Sequence, residues 1–291
     1  MRTILVALLV ASISPAAQER KSGPPDDVIF ERDVVYGKGA GEDLKLNIAR
    51  PKEQQGALPC IVFIHGGGWA AGSKEGHNQQ TWDTAKKGYV SATIGYRFAP
   101  KHRFPAQIED AKCAIRFLRA NAEKYGIEKD KIGAVGFSAG AHLSMLLGTM
   151  DPKDGLEGDG GNPDQSSKVN CVVSWFGPTD LTKEYPDASR KIVETFIGGT
   201  KEEKQEACRQ ASPVTYVDKG DAPMLLIQGT KDRLVPYTQA YLMIDALAKA
   251  GVTGRLDMIV GADHGWGGTE LQRTADETFA FFDQYLKTKK K

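Results

Sequence analysis

The sequence predicts an α/β fold: a mostly parallel central sheet with helices on both faces and a small inserted lid. Three observations predict it. Runs such as Cys60-Ile61-Val62-Phe63-Ile64 are apolar at every position, as strands covered on both faces are. Segments of helical period alternate with these runs, and such alternation calls for crossover connections between parallel strands. Two of the runs stop at glycine-rich turns, His65-Gly66-Gly67-Gly68-Trp69 and Gly136-Phe137-Ser138-Ala139-Gly140.

Residues 1–17 come first in the chain. Met1-Arg2 is basic, residues 3–10 are nearly all apolar and residues 11–17 are mostly small. That is the layout of a signal peptide cleaved after Ala16 or Ala17, and it points to a secreted or periplasmic protein. The apolar block is too short to span a membrane. Residues 33–36 and 44–48 read as two strands joined by a turn at 37–41. Leu44, Leu46 and Ile48 alternate with Lys45 and Asn47, the pattern of a half-exposed antiparallel edge.

A loop at 51–59 leads to the buried strand 60–64, and 90–96 is the next strand. Ile108, Ala111, Ile115, Leu118 and Ala122 form a helical stripe that stops near Gly126. Asp110 on this helix reads as a capping or packing partner. Strand 132–135, a helix after Ser138, strands 169–175 and 224–228, helix 237–250, strand 256–260 and helix 271–286 complete the alternation. Residues 151–167, rich in Gly and Asp, miss the acidic spacing of a calcium loop and read as a solvated loop. Residues 180–221 interrupt the rhythm, with short helices near 188–197 and 202–210, where a lid over a site would lie.

The composition suits one domain over residues 18–291: 41% hydrophobic and 26% charged residues, with net charge +1. Such a charge balance gives no electrostatic footprint for nucleic acid. The basic run at 287–291 reads as a solvated end. Cys60, Cys113, Cys171 and Cys208 would be allowed disulfides after export. Cys60 and Cys171 fall in core strands, and buried free thiols are expected ahead of any bridge. No spacing supports a metal or an organic cofactor.

The second glycine-rich turn places Ser138 between a strand and a helix, as a nucleophile elbow does. A serine hydroxyl needs a base to take its proton. Of the five histidines, His264 follows the last strand and so lies at the same sheet edge. His65 would brace the first glycine loop, His142 is expected to be structural, and His77 and His102 read as surface residues. Asp232, just past strand 224–228, is the first choice for a carboxylate to orient the imidazole, ahead of Asp180, with Asp263 last. The N–H groups of Gly67, Gly68 and Ala139 suit a developing oxyanion.

The combination HGGGW at 65–69, GFSAG at 136–140, GTKDRLVP at 229–236 and DHGW at 263–266 resembles the α/β-hydrolase superfamily. It is closest to esterases and lipases of the HGGG class, including carbohydrate acetyl and feruloyl esterase-like members. The resemblance covers about residues 34–286. It implies nucleophile Ser138, acid Asp232, base His264 and oxyanion donors Gly67, Gly68 and Ala139, with Trp69 as a further donor in some relatives. Gln228-Gly229 departs from the His-Gly often found there, with no catalytic consequence expected.

The expected activity is that of a serine carboxylesterase acting on a small-molecule or carbohydrate ester, with no cofactor. Trp69, Trp175, Phe176 and Trp266 are expected near the site, where they could stack on a sugar ring or phenolic acyl group; Trp175 suits the core equally well. With export, these aromatics point to plant cell-wall esters. A peptidase or amidase of the same fold and a non-catalytic binding protein are the competing readings.

Overall fold

The computed structural model describes residues 23–287. The leader expected at 1–17 and residues 288–291 of the basic run lie outside the described residues. Eight strands form one sheet: β1 (Val28–Gly39), β2 (Glu42–Pro51), β3 (Leu58–Ile64), β4 (Val90–Ile94), β5 (Ile127–Phe137), β6 (Cys171–Trp175), β7 (Met224–Gly229) and β8 (Gly254–Ile259). Their order is β1-β2-β4-β3-β5-β6-β7-β8. The β1–β2 and β2–β4 pairs are antiparallel, and all others are parallel.

The α-helices among the described residues are α1 (Asn78–Lys86), α2 (Ala106–Ala120), α3 (Ala122–Tyr125), α4 (Ala139–Thr149), α5 (Asp187–Ile197), α6 (Gln205–Gln210), α7 (Thr238–Ala250) and α8 (Gly268–Leu286). No helix among the described residues is long and apolar enough to cross a membrane.

The sheet divides the core because strand side chains alternate between faces. Val62, Ile64 and Val172 pack with Ile115 of α2, Leu143 of α4 and Leu247 of α7. Ile61, Phe63, Val173 and Leu225 pack on the other face with Phe281 and Phe282 of α8. Burying each such side chain contributes about 1.5–3 kcal/mol relative to exposure. That two-sided burial is why the central strands are mostly apolar along their length, with Ser91, Thr93, Ser174 and Gln228 as buried polar exceptions. The four cysteines are buried free thiols, as expected, and burial pushes Cys60 up to about 12.

Several local expectations need correction. β1, not β2, forms the edge of the sheet, and the turn between them shrinks to Ala40-Gly41. Asn47 of β2 is therefore buried, and its amide is satisfied: its Oδ1 accepts from Asp33 N (3.0 Å) at a bulge in β1, and its Nδ2 donates to Asn78 (2.9 Å). The 108–122 stripe breaks at Asn121 into α2 and α3, and Gly126, at φ 67, ends it. The 151–167 segment is anchored rather than merely solvated: Glu157 accepts from Lys112 and Arg116 of α2 at 2.8 Å each and from Ser167 Oγ at 2.9 Å. Asp110 has a charged partner that its position alone did not reveal, since Arg97 reaches it at 2.7 Å.

Candidate active site

The elbow begins where β5 meets α4. Ser138 sits at φ 53 and ψ −119, a conformation that costs a non-glycine residue strain. Its neighbours hold it there: Ser138 N donates to Trp175 O at 2.9 Å, and His142 N donates to Ser138 O at 3.1 Å. The flanking glycines are steric necessities. A Cβ on Gly140 would lie 2.0 Å from Ile64 O, and one on Gly136 would lie 2.1 Å from Gly140 O. α4 thus starts directly beneath β3, and Ser138 projects from the C-terminal edge of the sheet.

His264 lies in the loop after β8, and Asp232 in the loop after β7. The structure brings both to Ser138. The Ser138 hydroxyl lies 2.9 Å from His264 Nε2, and His264 Nδ1 lies 2.7 Å from Asp232 Oδ2. A carboxylate accepts and does not donate, so Nδ1 carries the proton and Nε2 is left to accept from the serine. The Asp232 side chain has no solvent exposure. Its other oxygen is satisfied by the N–H groups of Leu234 (2.8 Å) and Val235 (2.9 Å).

The competing carboxylates point elsewhere. Asp180 accepts from Thr182 N and Thr182 Oγ1, closing its own turn. Asp263 binds Arg233 and caps the N–H of His264.

The glycine loop after β3 turns sharply, with Gly67 at φ 112, Gly68 at φ 59 and Trp69 at φ 57. Gly67 O accepts from Ala70 N and Ala71 N, which closes the turn. Among the described residues, the N–H groups of Gly67, Gly68, Trp69 and Ala139 have no protein acceptor. His65 stacks on Tyr96 with ring centroids 4.3 Å apart, while its Nδ1–H donates to Gly66 O at 2.7 Å. It occupies the bracing position expected of it.

His142 is buried between Trp69 and the segment after α6, where burial lowers its pKa to about 4. His77 is not a surface residue. It stacks on Phe137 at 4.8 Å, and burial lowers it to about 4 as well. His102 is partly covered, with Glu42 3.7 Å away.

A cavity of about 380 Å³ opens in front of Ser138 and His264. Its walls are mostly apolar, with Trp69, Phe176, Tyr185, Ile192, Leu234 and Val235 among them. Tyr185 and Ile192 come from the 180–221 segment, and Ile192 of α5 rests on the glycine loop: a Cβ on Gly68 would lie 2.6 Å from Ile192 Cγ2.

Trp175 and Trp266 do not line this cavity, contrary to expectation. Trp175 follows Cys171 and Val173 onto the α8 side of the sheet, where its Nε1 donates to Thr278 at 3.2 Å. Trp266 stacks on it with centroids 5.2 Å apart, behind Phe176. Sequence reading gave Gln228 no role, yet its Nε2 donates to Asp232 Oδ2 at 3.0 Å. A polar residue inside the run Met224-Leu225-Leu226-Ile227-Gln228 was the available signal.

Comparisons with known proteins place this geometry in a family. The chain is 31% identical over 262 residues to Esterase LipC of Mycobacterium tuberculosis (strain ATCC 25618 / H37Rv), covering 87% of this chain and 64% of that protein. It spans about half to two thirds of the length of the first curated relatives it matches. A structure described as a truncated carbohydrate esterase from gut microbiota superposes with TM-score 0.79 at 28% identity, covering 90% of this chain and 99% of that one.

A thermophilic esterase of Thermogutta terrifontis with butyrate bound superposes with TM-score 0.76 at 27% identity, covering 91% and 97%. The BD-FAE family model matches residues 46–247. With its mostly parallel sheet and its HGGG and GFSAG turns, the chain belongs to the BD-FAE family of α/β-hydrolases.

Proposed function

We propose that the chain is a serine carboxylesterase in which Ser138 is the nucleophile, His264 the base and Asp232 the residue that orients it. As Ser138 Oγ attacks an ester carbonyl carbon, His264 Nε2 takes its proton and the carbonyl electron pair moves onto oxygen. The resulting oxyanion rests on the free N–H groups of Gly67, Gly68 and Ala139. Each such donor is worth about 3–4 kcal/mol in the transition state. Collapse of this intermediate breaks the ester C–O bond, and His264 hands its proton to the departing alkoxide. Water then attacks the acyl group on Ser138 with His264 again as base, releasing the acid and restoring the serine.

One observation carries the reading: Ser138, His264 and Asp232 stand in hydrogen-bond sequence at 2.9 and 2.7 Å in front of an apolar cavity. Short-chain acyl groups suit that cavity, and the butyrate-bound relative supports them. Carbohydrate-linked acetyl or feruloyl esters are the second reading, favoured by the likeness to the gut carbohydrate esterase. The 180–221 insertion is part of the proposal as a cap, since Tyr185 and Ile192 wall the cavity. Export directed by residues 1–17 is part of it too, and N-terminal sequencing of the mature protein tests that.

The activity is tested with p-nitrophenyl acetate, butyrate and octanoate, acetylated xylan, methyl ferulate and matched anilides. Ester turnover that exceeds anilide turnover and is lost in Ser138→Ala is expected. Anilide turnover without ester turnover would overturn the reading.

A further inference from the structure

We propose that Gln228 is a positioning residue for the ester hydrolysis, acting through Asp232; the inference rests on the Ser138, His264 and Asp232 reading above. Gln228 lies near the end of β7 and is 1% exposed. Its Nε2 donates to Asp232 Oδ2 at 3.0 Å and to Val235 O at 3.1 Å. Oδ2 is the oxygen that also accepts from His264 Nδ1. One amide group thus ties the carboxylate to the loop that carries it, using both of its N–H bonds.

The geometry gives Gln228 a task that the loop N–H groups cannot perform. Leu234 N and Val235 N both bind Oδ1. They fix one oxygen and leave the carboxylate free to rock about it. Gln228 fixes the second oxygen, and with it the direction in which Asp232 faces the imidazole. The amide carries no charge and cannot take the proton, so it orients the carboxylate without competing with His264 as a base. A catalytic group held by a packed, hydrogen-bonded neighbour keeps its aim through the reaction, and small losses of aim are costly.

The test compares wild type, Gln228→Met, Gln228→His and Ser138→Ala. Met keeps the length and unbranched shape of Gln but has no N–H. His restores one N–H donor. Gln228→Met is expected to lower kcat about tenfold, the scale of one hydrogen bond to a charged group, with KM within about twofold. The downfield proton NMR signal of the His264–Asp232 hydrogen bond is expected to shift or broaden. Gln228→His is expected to recover most of kcat.

Full kcat and an unmoved NMR signal in folded Gln228→Met overturn the proposal. So does a kcat loss that merely tracks the unfolded fraction and is not recovered by His. Should the Met variant fail to fold, Gln228→Leu is read in the same way. If Ser138→Ala keeps wild-type turnover, the underlying reading falls with it. If Ser138→Ala is inert while Gln228→Met is fully active, only the present inference falls.

Discussion

The indole N–H of Trp69, in the glycine loop, donates to Nδ1 of His142, one turn into α4, at 3.2 Å. Nδ1 therefore accepts, and Nε2 must carry the single proton, which it donates to Ala211 O at 2.6 Å. Protonating His142 would turn Nδ1 into a donor facing a donor. His142 is thus locked neutral by geometry as well as by burial, and the glycine loop is fastened to the helix that carries Ser138.

That lock makes stability depend on pH. The unfolded chain takes up a proton on His142 at the ordinary value of 6.5, whereas the folded chain does so only near 4. Between these values the unfolded state binds more protons, so stability is complete above about pH 6.5 and falls as pH drops toward 4. The loss from His142 is on the order of 3 kcal/mol, and His77, also lowered to about 4, adds in the same direction. Urea midpoints measured between pH 7.5 and 4.5 are expected to fall, and less steeply in His142→Gln. A flat profile would contradict the burial of a neutral imidazole.

In the proposed mechanism Asp232 orients His264 and fixes its tautomer. Asp232→Asn is expected to keep the fold and lower kcat by about 10³–10⁴, because an amide at this position can donate to the imidazole and favour the wrong tautomer. Steady-state kinetics beside an unchanged circular dichroism spectrum checks this. A loss below tenfold would move the acid role away from Asp232.

Ile192 packs its Cγ2 against the glycine loop, where a Cβ on Gly68 would come within 2.6 Å of it. Ile192→Ala enlarges the cavity, and Ile192→Phe fills it. The ratio of kcat/KM for p-nitrophenyl octanoate to that for acetate is expected to rise about tenfold in the first and fall in the second. Equal ratios in all three proteins would show that α5 does not bound the acyl site.

The Arg97–Asp110 pair is a stability element. Asp110 is 1% exposed and accepts from the Arg97 guanidinium and from Arg97 N, the latter at 2.8 Å. Asp110→Ala leaves a mostly buried guanidinium without its main counter-charge, which costs about 3–5 kcal/mol. Chemical denaturation reads the change directly; a cost under 1 kcal/mol would mean that Glu109, at 3.2 Å, takes over.

The parts of this site that depend on strand ends were legible in the sequence. Ser138 follows β5 directly, and Asp232 and His264 lie within five residues of the ends of β7 and β8; parallel strands bring such ends to one edge. What depends on which face a side chain takes was not legible. Trp175 pairs in register with Phe137, but the alternation of β6 sends its ring to α8, and Trp266 follows it there. Asn47 looked like the polar face of an edge because nothing local announces that β1 will cover β2. Gln228 gains its partner only when the 232–235 loop folds back over β7, a contact set by the turn rather than by composition. Residues 180–221 stood out as a break in rhythm, whereas the contact of Ile192 with Gly68 is tertiary.

The most direct test of the whole mechanism is intact-mass analysis after treatment with a p-nitrophenyl alkylphosphonate, followed by peptide mapping. One adduct per chain is expected, on Ser138, appearing as ester hydrolysis is lost and absent from Ser138→Ala. An adduct on another residue, or a Ser138→Ala variant that still turns over esters at the wild-type rate, would contradict it.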